Sequence, residues 1–196
     1  MTGLASPAMA ATLDGAEALT TVLEAARSGD LAAFDTLMRW HERLVLATAL
    51  RLLGKMEDAQ DASQEVFLRL YRNLNKLEVS QNLAGWLYRV TVNVCRDARS
   101  RRPEEASVEE AAELVSPDAD PQQAATRNER QRVLELSLRL LSGKERTALV
   151  LRDLEGLSTG EVAEILGTSQ ATVRAQIFQA RIKIKGFVES YFRRRV

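Results

Sequence analysis

Histidine, cysteine and proline are scarce in this 196-residue chain, which contains one histidine, one cysteine and four prolines. The single cysteine, Cys95, excludes an intrachain disulfide. Together with His41 it is too little for a metal site within the chain, and one histidine limits the schemes available for nucleophilic catalysis. A glycine-rich phosphate loop is also missing from the sequence. We therefore expect no enzymatic activity, no catalytic residue, no bound metal and no cofactor.

Long apolar runs are absent as well. No stretch approaches the roughly 20 apolar residues that a membrane helix needs, so we expect no membrane insertion. The first 26 residues contain no Lys or Arg, whereas a signal peptide begins with basic residues. A lone cysteine fits a reducing compartment, and we predict that the protein is cytoplasmic.

Glycine and aromatic side chains are few, at 10 residues and 5%, while hydrophobic residues make up 45% of the chain. Leu, Ala, Arg and Glu are abundant, and these residues favour helices over strands. The composition therefore predicts an all-α protein with packed cores.

Charge is balanced over the whole chain, with 27 basic and 27 acidic side chains, but it is unevenly distributed. Residues 181–196 carry six basic and one acidic side chain, a net of +5, and residues 86–102 carry five Arg and one Asp, a net of +4. Residues 103–121 carry seven acidic and no basic side chains, a net of −7. Two basic segments around an acidic one predict a modular chain with two anionic partners.

Hydrophobic periodicity divides the chain into four parts. Residues 1–27 have little periodicity and are predicted to form a flexible extension. Residues 28–100 are predicted to form a first helical domain, with helices at 31–53, 57–74 and 83–99. Asp30 is the predicted N-cap of the first helix, and the second has a predicted apolar stripe of Val66, Phe67, Leu70 and Leu74. Residues 101–127 contain prolines and the acidic run, and they are predicted to be a linker because they cannot bury a core. Residues 128–196 are predicted to form a second helical domain with helices at 128–141, 143–156, 162–166 and 169–190, and Ser142 with Glu145 is a predicted capping box at the start of the second of these helices.

The strongest local signal lies between Ser158 and Lys185. Ser158 and Glu161 form a predicted capping box, and Gly167 separates a short helix from a long one, which is typical of a helix-turn-helix. The second helix of such a unit enters the DNA major groove. If the apolar positions are buried, the DNA-facing set is Arg174, Ala175, Phe178, Gln179, Arg181 and Lys183. An ordinary helical bundle with a basic surface remains the alternative for this segment alone.

Three motifs in order resemble the extracytoplasmic-function sigma factors of bacterial RNA polymerase. Residues 157–167 (LSTGEVAEILG) with 171–181 (ATVRAQIFQAR) resemble region 4 of that family. Residues 58–71 (DAQDASQEVFLRLY) resemble region 2, and residues 85–93 (GWLYRVTVN) resemble its promoter-melting part. The resemblance covers about residues 28–193 and implies an all-α protein whose region 2 and region 4 domains are joined by the acidic linker.

The resemblance also implies partners. Core RNA polymerase would bind through its clamp helices and its flap, and the clamp surface would map onto Asp61, Gln64 and Glu65, which are otherwise an ordinary solvated helix face. Region 2 would read the minus-10 promoter element as single-stranded DNA, through Leu77, Ser80, Arg89, Asn93 and Arg96. Trp86 is either a core anchor or a stacking platform. The family is typically inhibited by an anti-sigma protein.

Region 4 would read the minus-35 element as duplex DNA. In this family Arg is common where this chain has Gln176 and Gln179, so we predict a minus-35 element that differs from the usual one. The linker of 27 residues is expected to lie in the RNA channel of the polymerase, since its charge resembles that of RNA. The alternative function is a free-standing helix-turn-helix regulator, which would leave the region 2 motifs unexplained.

Overall fold

The computed structural model describes residues 13–77, 82–101 and 121–193, and within these residues it contains eight α-helices and no strand. The chain divides into two compact units, one of Met1–Leu50 with Lys55–Cys95 and the other of Arg51–Gly54 with Arg96–Val196. The predicted class, all-α with two small helical units, is confirmed. No described helix is both long enough and apolar enough to cross a membrane.

Helices α1 to α4 occupy Leu13–Arg27, Leu31–Leu53, Met56–Asn73 and Leu83–Ser100, and a single 3-10 turn at Leu74–Lys76 follows α3. The predicted cap of α2 is present, because the Asp30 carboxylate accepts hydrogen bonds from the backbone N–H groups of Ala32 and Ala33 at 2.8 and 3.2 Å. The apolar stripe predicted for α3 is buried as expected. Its members are Val66, Phe67, Leu70 and Leu74.

Helix α1 corrects the prediction of a flexible extension over residues 1–27. From Leu13 onward the chain is helical, and Leu23 and Ala26 are buried. The first 12 residues lie outside the described residues. Only a narrow stripe of α1 is buried, so the docking of this helix depends on the surface it packs against as well as on its own sequence.

Helices α5 to α8 occupy Pro121–Arg139, Gly143–Leu149, Thr159–Leu166 and Gln170–Arg193. Helix α5 begins seven residues earlier than predicted, and proline is favoured at a first helical position because its missing N–H is not needed there. The remaining linker residues, 102–120, lie outside the described residues. Both predicted capping boxes are present, at Ser142 with Glu145 and at Ser158 with Glu161.

A π-helical turn at Val150–Leu154 extends α6, where the sequence predicted an unbroken helix to about Gly156. The backbone N–H of Glu155 donates to the carbonyl of Val150 at 2.9 Å, a spacing of five residues. Such turns are uncommon in helices and often occur at functional sites.

Arg146 of α6 is a buried charge at 7% exposure. Its Nε donates to the carbonyl of Leu138 at 2.7 Å, and its Nη2 donates to the carbonyls of Arg139 and Leu141 at 3.2 and 3.3 Å. These carbonyls lie at the end of α5, where a helix leaves acceptors without internal partners. Burial is the main cause that lowers the pKa of Arg146 to about 10. Arg146 thus joins α6 to the end of α5.

Candidate nucleic-acid interface

Helices α7 and α8 form the predicted helix-turn-helix. Gly167 ends α7 with φ 61° and ψ 41°, a left-handed conformation that glycine adopts without steric cost, and the backbone N–H of Thr168 donates to the carbonyl of Ala163 at 3.0 Å. Predicted core positions are buried on both helices. They are Val162 and Ala163 on α7, and Val173, Ile177 and Ala180 on α8.

With those side chains buried, α8 presents the predicted outer face to solvent. Its exposed members are Arg174, Ala175, Phe178, Gln179, Arg181 and Lys183. Phe178 is 63% exposed, which is unusual for a large apolar side chain and marks a surface that a partner would cover. Arg174 is oriented by Gln170, whose Oε1 accepts a hydrogen bond from Nη2 at 3.1 Å.

Two cations of this face are bound to carboxylates that the sequence did not reveal. Arg181 donates from Nε and Nη2 to both oxygens of Asp153 at 3.0 and 2.8 Å, and Lys183 donates to both oxygens of Glu145 at 2.8 Å. The hydrogen bond with Asp153 raises the pKa of Arg181, and the one with Lys183 lowers the pKa of Glu145. The two cations remain 63% and 45% exposed, so these are surface ion pairs of about 0–1 kcal/mol with which a phosphate can compete.

Helix α4 carries three of the side chains predicted to bind single-stranded DNA. Arg89 and Arg96 are exposed and Asn93 is half-buried. They lie at i, i+4 and i+7 and therefore share one face of the helix. Asn82 caps this helix, because its Oδ1 accepts a hydrogen bond from the backbone N–H of Gly85 at 3.1 Å.

The other predicted minus-10 residues are placed differently. Leu77 is buried, so it does not offer its side chain to solvent as the prediction of a direct contact requires. Ser80 lies outside the described residues. Trp86 is half-buried, and Tyr88, for which the sequence predicted no role, is buried.

The residues predicted to bind the polymerase clamp lie on α3. Asp61 and Gln64 are exposed, whereas Glu65 is half-buried and accepts a hydrogen bond from Arg69 Nε at 2.7 Å. Asp61, Gln64 and Glu65 lie within about one turn of each other, so the structure brings them to one region of the helix surface.

An apolar groove between α2 and α3 adjoins this surface, and sequence reasoning missed it. The groove has a volume of about 730 Å³, and Gln64 is one of its lining residues. Its apolar lining residues are Leu31, Phe34, Met38, Phe67, Leu68 and Tyr71. Leu31, Leu68 and Tyr71 are exposed. Part of the signal was present in the sequence, because Leu68 and Tyr71 are apolar residues of α3 outside its buried stripe.

No group of three His, Cys, Asp or Glu side chains in the described part of the chain is arranged to hold a metal ion. Cys95 is buried. His41 is half-buried and its ring Nδ1 lies 2.9 Å from the carbonyl of Leu37, and desolvation by burial lowers its pKa.

Each of the two units matches part of a known protein family. Residues 37–103 match sigma-70 region 2, and residues 131–184 match sigma-70 region 4. The RNA polymerase sigma-H factor of Pseudomonas aeruginosa is 33% identical over 170 residues, which cover 82% of this chain and 88% of that protein. The ECF RNA polymerase sigma-E factor of Haemophilus influenzae is 32% identical over 186 residues, which cover 89% of this chain and 98% of that protein.

A solved structure supports the same assignment. CnrH, in complex with the cytosolic domain of CnrY, is similar with a TM-score of 0.65 and 27% identity, over 88% of this chain and 98% of that one. The sigma factor RpoE of Bartonella quintana, in complex with the anti-sigma factor NepR, has the same fold with a TM-score of 0.64 and 21% identity, over 80% of this chain and 96% of that one. The chain belongs to the extracytoplasmic-function family of RNA polymerase sigma factors.

Proposed function

We propose that this sigma factor directs core RNA polymerase to promoters by reading the minus-35 element as duplex DNA through α8 and the minus-10 element as single-stranded DNA through the surface of α4. The observation that carries the proposal is the exposed face of α8 on a capped helix-turn-helix. The protein would act by binding rather than by catalysis, and it would act in the cytoplasm, where polymerase and promoter meet.

Base recognition in the minus-35 element falls to three side chains of α8. Arg174 offers two parallel donors, which suit the O6 and N7 acceptors of guanine, and the amide of Gln179 suits adenine. A thymine methyl group or a sugar of the DNA would cover the exposed ring of Phe178. Because Gln176 and Gln179 stand where the family commonly has Arg, we predict a minus-35 preference different from the usual one of the family. A selection of bound promoter variants that returned the usual sequence would refute this.

Phosphate contacts fall to Arg181 and Lys183. Contacts of this kind fix the position of a protein on DNA without selecting sequence. Both cations would exchange a carboxylate for a phosphate on binding, which their exposure permits. Arg89 and Arg96 would contact the phosphates of the single strand, and Asn93 beside them would form a hydrogen bond with a base edge.

Core polymerase would bind the surface of Asp61, Gln64 and Glu65 together with the adjoining groove. The carboxylates suit a basic partner, and the apolar lining suits the apolar side chains of a helix such as those of the clamp. We further propose that an anti-sigma protein inhibits this chain, since CnrH, which it resembles, was solved in complex with the cytosolic domain of CnrY, and RpoE was solved in complex with the anti-sigma factor NepR. The flap of core polymerase would contact the second unit of this chain.

The acidic linker is proposed to occupy the RNA channel of the polymerase. Its seven carboxylates between residues 103 and 121 support this, because they resemble the charge of RNA. Replacing all seven by amides should weaken core binding or change early transcription, and an unchanged outcome in both assays would remove the idea.

The decisive experiment is in vitro transcription with core polymerase on a promoter library in which both elements are randomised. Arg174→Ala should flatten the preference at one position of the minus-35 element by about 1–3 kcal/mol. Lys183→Ala should weaken binding to all sequences alike and reduce the dependence of affinity on salt by about one counterion. If the two variants behaved alike, the assignment of the α8 face would be wrong.

Core binding separates this function from that of a free-standing helix-turn-helix regulator. A sigma factor should be retained by immobilised core polymerase and should start transcripts at defined sites. A protein that bound duplex DNA tightly as a dimer and ignored core polymerase would instead be such a regulator.

A further inference from the structure

Arg27, the last residue of α1, is bound to a backbone carbonyl 47 residues away. Its Nε donates to the carbonyl oxygen of Leu74 at 2.9 Å, in a partly buried position. Its Nη2 is buried and has no hydrogen-bond partner among the described residues. Fixing a long, charged side chain costs conformational entropy, and burying an unpaired nitrogen costs solvation free energy. The hydrogen bond to Leu74 offsets part of both costs.

The carbonyl of Leu74 belongs to the single 3-10 turn at Leu74–Lys76. The Leu74 carbonyl also accepts a hydrogen bond from the backbone N–H of Leu77 at 3.4 Å, a long distance for an amide, and that N–H is shared with the carbonyl of Asn73 at 3.2 Å. A 3-10 turn has poor hydrogen-bond geometry of its own. The charged donor Arg27 therefore makes the shorter and stronger bond that fixes this turn.

Helix α1 supplies a rigid base for Arg27, because Leu23 and Ala26 on the preceding turn are buried. The turn that Arg27 holds is followed directly by Leu77, a buried residue that the family resemblance predicts to belong to the minus-10 site. Helix α1 lies before residue 37, where the match to sigma-70 region 2 begins. A segment outside the matched region thus contacts the turn next to a proposed DNA-binding surface.

We propose that Arg27 is a positioning residue for minus-10 recognition. It touches no DNA, but its bond to the Leu74 carbonyl holds the turn that carries Leu77 in one conformation. A protein that lost this bond would let the turn sample several conformations, and it would accept wrong bases in the minus-10 element more readily. The proposal rests on the function proposed above.

The test uses the full chain with core polymerase on promoters that differ by one base in the minus-10 element. Arg27→Met places a methyl group where Nε lies, whereas Arg27→Gln places an amide N–H donor at the same distance along the side chain. Discrimination between right and wrong minus-10 bases should fall about tenfold in Arg27→Met, the size of one recognition contact, and should be largely kept in Arg27→Gln. Core affinity and minus-35 discrimination should not change.

A matched control is Arg43→Met, which removes an exposed arginine from α2 without touching the turn. It should leave discrimination at both elements unchanged. If Arg27→Met failed to fold, Arg27→Gln and Arg27→Lys would decide the matter. Glutamine keeps a donor at the Nε position without the charge and lysine keeps the charge without that donor, so discrimination should be higher with glutamine.

Several results would overturn the proposal. They are unchanged minus-10 discrimination in Arg27→Met, an equal loss at both promoter elements, or equal discrimination with glutamine and lysine. A failure of the proposed function would look different, because the unsubstituted protein itself would then show no preference among minus-10 bases.

Discussion

The two units reach their proposed binding surfaces by different routes. In the second unit, the surface of α8 is fixed by neighbours in sequence, since the capping box at Ser158 and the left-handed Gly167 set the turn within ten residues. In the first unit, the decisive contact joins Arg27 to Leu74, and the groove lies between two separate helices. The comparison teaches that a local surface tolerates changes elsewhere, whereas a surface held by distant contacts depends on the whole unit.

The largest expected effect tests the dependence of the first unit on α1. Leu23→Ala should lower its free energy of unfolding by about 2–5 kcal/mol, because Leu23 is buried and its loss leaves a cavity. Trp40 and Trp86 are the two tryptophans of the chain and both belong to this unit, so tryptophan fluorescence during urea unfolding reports on it. Glu24→Ala, at an exposed position of the same helix, is the control. A loss below about 0.5 kcal/mol, the range of ordinary surface changes, would show that α1 is not part of the unit.

The next effect tests the local turn of the second unit. Gly167→Ala should destabilise it by about 1–2 kcal/mol, because a side chain at φ 61° is strained, although no atom lies within 4 Å of the added Cβ. Gly186→Ala is the matched control, since its added Cβ also meets nothing within 4 Å and it lies inside α8. It should stabilise by about 0.5–1 kcal/mol. Unfolding of the second unit is followed as the part of the circular-dichroism transition that tryptophan fluorescence does not share, because both tryptophans belong to the first unit. Stability changes of equal sign in the two variants would contradict the explanation.

A smaller effect concerns pH. Hydrogen bonds from Ser158, its side chain first and its backbone second, hold the pKa of Glu161 below its ordinary value of 4.5. A carboxylate whose pKa is lowered by folding contributes stability that is present above 4.5 and lost as pH falls through the lowered value. Glu161→Gln should remove this part of the acid sensitivity of the second unit. Glu135→Gln, which removes an exposed carboxylate from α5 and keeps the capping box, is the control in acid titrations followed by circular dichroism.

The smallest effect concerns the ion pair on α8. Asp153→Asn should change stability by less than about 1 kcal/mol, because the pair is exposed. It should raise the affinity for minus-35 duplex DNA and steepen its salt dependence, since Arg181 becomes available to phosphate. In the double variant with Arg181→Ala this gain should vanish. A gain that persisted in the double variant would mean that Asp153 acts on DNA without Arg181.

Sequence reasoning succeeded where the determinants are local. Asp30 and Ser142 each predicted a helix start correctly, because a capping side chain binds backbone groups two or three residues away. Ser158 caps α7 as predicted, but this helix begins at Thr159 rather than at Val162. The outer face of α8 followed from the same kind of information, since helical periodicity alone separates Phe178 from its buried neighbours Val173 and Ile177.

The parts that could not be predicted depend on distant contacts. Docking of α1 requires the surface around Leu74, which no periodicity over residues 13–27 encodes. The pairing of Arg181 with Asp153 spans 28 residues, so Arg181 was interpreted as a phosphate contact without a carboxylate beside it. The groove between α2 and α3 likewise appears only when two helices are placed side by side.

The π-helical turn at Val150–Leu154 is the place in this stretch where the chain can lose one residue with least change to its neighbours. A turn with a five-residue hydrogen-bond spacing holds about one residue more than an α-helical turn, so deleting one residue there would let the stretch close as an ordinary α-helix with the flanking side chains near their present directions. The same deletion within Gly143–Leu149 would rotate the side chains after it by about 100° relative to those before it. A relative one residue shorter at the wide turn would therefore keep the flanking surfaces, whereas the ion pair of Asp153 with Arg181 would depend on which residue of the turn was missing.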